Sequence, residues 1–94
     1  MTKFTSAPWT ISGLINKDIV GGDGEVVCRV AVPFNDTDQR DANAHLIAAA
    51  PDMYEALEAA REQIEFKLKV AGDYGQFHDL VPVIDAAIKK ARGE

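Results

Sequence analysis

The stretch D-A-N-A-H-L-I-A-A-A-P-D-M-Y-E-A-L, residues 41–57, places a proline in the middle of an otherwise unbroken helical pattern. Ala42, Leu46, Ile47 and Ala50 recur at helical spacing before it, and Tyr54, Leu57, Ala60, Ile64, Leu68 and Ala71 continue the stripe after it. A proline inside a helix costs about 3 kcal/mol, but in a first turn its missing N–H has no partner to lose. Pro51 therefore predicts a short helix over about 38–50 and a long one over about 51–71, set at an angle and sharing one apolar stripe. Asn35, Asp36, Thr37 and Asp38 suit the cap of the first helix, and Asp52 and Glu55 suit the first turn of the second. The long helix would run on the order of 30 Å, with Arg61–Glu65 and Glu65–Lys69 as pairs on its wet face. Gly72, Tyr74 and Gly75 break it, and Leu80, Ile84, Ala87, Ile88 and Ala91 mark a last helix, about 79–91, that folds back.

Ahead of these helices the period changes. Trp9, Ile11, Gly13 and Ile15 share one parity; Val26, Cys28, Val30 and Val32 share another, with Val27, Arg29 and Ala31 on the opposite face. G-G-D-G at 21–24 separates two of the strands, since glycine takes positive φ freely and Asp-Gly favours a tight hairpin. The expected fold is thus α+β: a small antiparallel β-meander (strands at about 8–13, 15–20 and 25–33), a kinked helix pair and a C-terminal return helix. Two or three such strands need a helix packed on one face. With 94 residues the chain fits a single domain, 1–94, whose thin core self-association commonly supplements.

The charge balance narrows the partners. Ten basic and fifteen acidic side chains give a formal charge of −5, which repels phosphate backbones, so nucleic acid is not an expected partner. The apolar runs fall short of the roughly 18 residues of a membrane span, M-T-K-F-T-S-A-P-W has no signal-peptide core, and a cytoplasmic location follows as the expectation. Cys28 stands alone and forms no intrachain disulfide; as a strand neighbour of Arg29 it faces away from that cation, which fits a structural thiol.

Catalytic signatures are absent: there is no Walker loop, G-x-G-x-x-G or H-E-x-x-H. His45 and His78 lie apart with no companion cysteine, so neither a metal nor another cofactor is expected, and the chain reads as a non-enzyme. Four residues suit ligand contact. Trp9 anchors the first strand or offers a stacking wall, and Arg29 is the one cation of the longest strand. Asn43 and His45 sit two apart near a helix start, where free N–H groups attract anions. Tyr54, Leu57, Ile64 and Leu68 are the positions through which copies of the long helix would associate. Lys67, Lys69, Lys89, Lys90 and Arg92 read as ordinary solvated helix charge.

T-S-A-P-W near the start, A-N-A-H-L-I-A-A-A-P-D-M-Y-E-A-L in the middle and A-A-I-K-K-A-R-G-E at the end occur in an order that resembles a set of small phage and prophage proteins. Those read T-P-G-P-W, then a strand-rich segment, then A-N-A-R-L-I-A-A-A-P-E-L-L-E-A-L. Here Ala7 replaces the glycine, His45 the arginine, and Met53 with Tyr54 the paired leucines. The expected architecture is also similar to phage Thoeris anti-defence sponges, which sequester cyclic nucleotide-type signals in pockets of symmetric oligomers. That resemblance implies a phage accessory protein that forms a homo-oligomer and sequesters a cyclic nucleotide ligand as counter-defence. The alternative is an acidic module that binds or inhibits a host or phage protein partner.

Overall fold

The computed structural model describes residues 4–13, 17–31, 37–71 and 80–94. Ile15, Val32, Asn35, Asp36, Gly72, Tyr74 and Gly75, to which the sequence assigns strand, cap or turn roles, lie outside them, as do His78, weighed as a metal ligand, and Asp79, the expected start of the last helix. Within them the α+β architecture holds: strands β1 (Thr10–Ser12), β2 (Lys17–Val20) and β3 (Val26–Val30), then helices α1 (Thr37–Ala48), α2 (Ala50–Ala71) and α3 (Leu80–Ala91). The chain forms two compact units, Met1–Asp52 and Met53–Glu94.

In the first unit the three strands form an antiparallel sheet in the order β1-β2-β3. Ile11 pairs with Ile19, and Ile19 with Cys28, so these side chains fall on one face. That face carries the core: Ile19, Val30 and, from α1, Ala44 are buried, with Trp9, Ile11, Val27, Cys28, Ile47 and Ala48 packed around them. Ile19 and Ala44 are completely covered.

The strict alternation expected of β3 does not hold. Ile19 pairs with Cys28 but the next residue, Val20, pairs with Val26, leaving Val27 as the extra residue of a β-bulge. Val27 joins Cys28 in the core, whereas Val26, expected to share the face of Cys28, is 61% exposed. The face of α1 also differs from expectation. Ala42 and Leu46 are exposed, and Ala44, Ile47 and Ala48 meet the sheet. Alanine at the point of contact lets the helix backbone approach the sheet closely, which a leucine there would prevent.

The G-G-D-G hairpin forms as expected and in a specific way. Gly21 and Glu25 close a three-residue loop, the Gly24 amide donates to the Gly21 carbonyl at 3.0 Å, and Gly24 takes φ 88°. Such a loop places its last residue in the left-handed region, hence glycine. The Asp23 carboxylate accepts from the Glu25 amide at 3.1 Å.

Phe4–Trp9 lies across this hairpin loop. The Gly22 amide donates to the Ser6 carbonyl at 2.6 Å, and Trp9 Nε1 donates to the Thr5 carbonyl at 3.0 Å. The Phe4 ring meets Trp9 edge to face, centroids 6.0 Å apart.

Between the helices, α1 ends at Ala48 and α2 begins at Ala50, with Pro51 buried in the first turn of α2. Pro51 has no N–H for the Ile47 carbonyl four residues back, and its ring would crowd that carbonyl in a continuous helix.

In the second unit Tyr54 and Ile88 are buried, and Leu57, Ala60, Ile64 and Leu68 are half-buried on one stripe of α2. Early α2 residues pair with the end of α3, and Arg61, further along α2, pairs with Asp85, earlier in α3; the two helices are therefore antiparallel. Pro82 occupies the first turn of α3. At its other end the Gly93 and Glu94 amides return to the Lys90 and Lys89 carbonyls at 3.1 and 2.9 Å, a Schellman closure.

Candidate functional site

The four residues singled out for ligand contact occupy different environments in the first unit. Trp9 is half-buried against the core with its N–H already bonded to Thr5. Arg29 pairs across the strands with Asp18, on the sheet face opposite Ile19 and hence opposite α1. Asn43 and His45 are exposed on α1, on either side of the buried Ala44. The sheet therefore stands between Arg29 and the Asn43–His45 pair.

Arg29 Nε donates to Asp18 Oδ1 at 2.8 Å. This hydrogen bond, and then the guanidinium charge, hold the Asp18 carboxyl below aspartate's ordinary 3.8. Since the folded value lies below the unfolded one, the pair's contribution is complete above the ordinary aspartate range and is lost as pH falls through the lowered value. Arg29→Ala is expected to move the Asp18 titration upward, towards the ordinary value. Carboxyl-carbon chemical shifts followed through acid would show this, and an unmoved midpoint would contradict the assignment.

The second unit holds the larger concentration of charge. A cavity of about 350 Å³ is lined by Glu58, Arg61, Glu62, Asp85, Lys89 and Arg92, with the buried Ile88 beside them. Arg61 binds Asp85 and reaches Glu65 at 3.1 Å, the i,i+4 pair expected from the spacing. Arg92 Nε donates to the Tyr54 hydroxyl at 2.7 Å and its Nη2 to Glu58 at 3.2 Å, while the guanidinium carbon lies 5.9 Å from the Tyr54 ring centroid. Arg92 thus differs from the solvated charge expected of it. It ties the end of α3 to the start of the α2 stripe. Hydrogen bonds from Arg61 to Asp85 and from Arg92 to Tyr54 raise both guanidinium pKa values further, so both cations stay charged at any working pH.

Three carboxylates and three cations line this cavity, so its charges cancel, and both arginines are already engaged. Among the described residues no group of three or more His, Cys, Asp and Glu is placed to hold a metal ion, and no helix is long and apolar enough to cross a membrane.

Of the four positions expected at a helix-to-helix contact between copies, Tyr54 is buried and bound to Arg92, just past α3, and Leu57, Ile64 and Leu68 are half-buried beside it. A different face of α2 is open. Glu55, Glu58, Glu62 and Glu65 follow one another at spacings of three, four and three residues, which keeps them on one side of a helix. Phe66 and Val70 flank that acidic ridge, 63% and 70% exposed. The apolar stripe of α2 does not point to this ridge; its signal is the glutamate spacing in E-A-L-E-A-A-R-E-Q-I-E.

Over residues 1–94 the chain matches the family model described as Salmonella phage P22 protein Y8K6. No curated protein and no solved structure matches it.

Proposed function

The chain belongs to the Salmonella phage P22 protein Y8K6 family, and from that premise we propose that it is a phage accessory protein acting in the host cytoplasm by binding rather than by catalysis. Its binding surface is the acidic ridge of α2, and its partner is a host or phage protein that offers basic side chains around an apolar patch. The observation that carries this reading is the alignment of Glu55, Glu58, Glu62 and Glu65 on one helix face beside the exposed Phe66 and Val70. A net charge of −5 reinforces it, because opposite fields steer encounter and select partners.

Glu55 and Glu62 enter no ion pair among the described residues, so reversing their charge leaves the internal pairs of the unit in place. The double variant Glu55→Lys/Glu62→Lys is expected to keep its circular dichroism and thermal midpoint. In a pull-down from host lysate it should lose a partner that the unmodified protein retains at low salt and releases at high salt, with retention falling at least ~10-fold (about 1.4 kcal/mol). A partner held equally by both proteins would overturn the reading, as would the absence of any salt-sensitive partner.

A second reading is counter-defence by sequestration of a cyclic nucleotide-type immune signal in a homo-oligomer. Two observations favour it. Asn43 and His45 are exposed on α1, and the charge-balanced cavity of the second unit has a volume in the small-molecule range. Under this reading a thermal-shift screen against cyclic ADP-ribose isomers and cyclic dinucleotides gives a stabilising shift for one of them, and light scattering gives a mass above that of one chain. Stabilisation by ligand binding amounts to about 2.7 kcal/mol at a hundredfold excess over Kd, well within detection. No shift with any of these ligands would remove the sequestration reading and leave the protein-partner reading standing.

A further inference from the structure

We draw no further inference here: the strongest candidate, the exposed apolar face that Leu80 and Val83 give α3, carries nothing because nothing in the structure shows what covers it.

Discussion

Replacing Ile19 by alanine is expected to destabilise the first unit by about 2–5 kcal/mol, the range for truncating a fully buried aliphatic side chain. Ile19 is completely covered and is the largest such side chain described. It also sits at the middle of the sheet, paired with Ile11 on one side and Cys28 on the other, with Ala44 of α1 in the same cluster. Two small residues facing each other cannot close the void, because Ala44 contributes only a methyl group and the flanking pairs hold the strands in register. A cost of this size is a large share of the roughly 5–15 kcal/mol that stabilises an ordinary domain. The measurement is well supplied by the sequence, since Trp9 is the only tryptophan and packs on this cluster. Its fluorescence during urea unfolding follows the sheet, whereas far-ultraviolet circular dichroism is dominated by the helices. The tryptophan midpoint should fall sharply; a loss under about 1 kcal/mol would mean that the core lies elsewhere.

Gly22→Ala is expected to cost about 1–3 kcal/mol, the usual range for forcing an extra carbon into a filled space. A Cβ on Gly22 would stand 2.4 Å from the Ala7 carbonyl oxygen and 2.9 Å from its carbon. Both are backbone atoms, so no side-chain rotation relieves the contact. Either the hairpin loop or the Phe4–Trp9 segment must move, and with it the hydrogen bond from the Gly22 amide to Ser6. Gly21 supplies a comparison. There the nearest atom is Thr5 Cγ2, at 2.3 Å from an added Cβ. That methyl belongs to a side chain, so Gly21→Ala should lose stability alone and regain much of it when combined with Thr5→Ser. For Gly22→Ala no substitution of the neighbouring side chains should restore stability. Denaturation midpoints of Gly22→Ala, Gly21→Ala, Gly21→Ala/Thr5→Ser and Gly22→Ala/Thr5→Ser decide between backbone and side-chain obstruction. A Gly22→Ala protein as stable as the parent would mean that the N-terminal segment does not lie on the loop.

The order of elements, three short strands and then three helices, was legible because the strand and helix periods each persist over several residues and the punctuation is strong. Pro51 falls in the first turn of α2, just past the end of α1, and the Gly-Gly-Asp-Gly turn falls where β2 and β3 close their hairpin. What periodicity could not supply was the face of α1. Alanines at 42, 44 and 48 put methyl groups on opposite faces of that helix, so the stripe through Ala42 and Leu46 competes with one through Ala44 and Ala48. The choice was made by tertiary contact, through the small residue that sits over Ile19. The β3 bulge was equally hidden, because a run of three apolar residues, Val26, Val27 and Cys28, satisfies either register. For the candidate site, the Asp18–Arg29 pair depends on strand register, which sequence fixed only approximately. The Arg92 tie to Tyr54 spans 38 residues and has no local signature. The glutamate ridge, by contrast, was readable from spacing alone.

The bulge at Val27 also marks where β3 can lose a residue. Because Cys28 stays opposite Ile19 and Val26 opposite Val20, residue 27 is one unit of slack between two fixed pairings. A relative lacking it would keep both pairings and merely straighten the strand. The same loss at Arg29 would either set Val30 against Asp18 or drag Cys28 away from Ile19, turning core side chains outward. Loss of one residue at the bulge is therefore expected to leave the other pairings of β3 in place, and loss at Arg29 to disturb them.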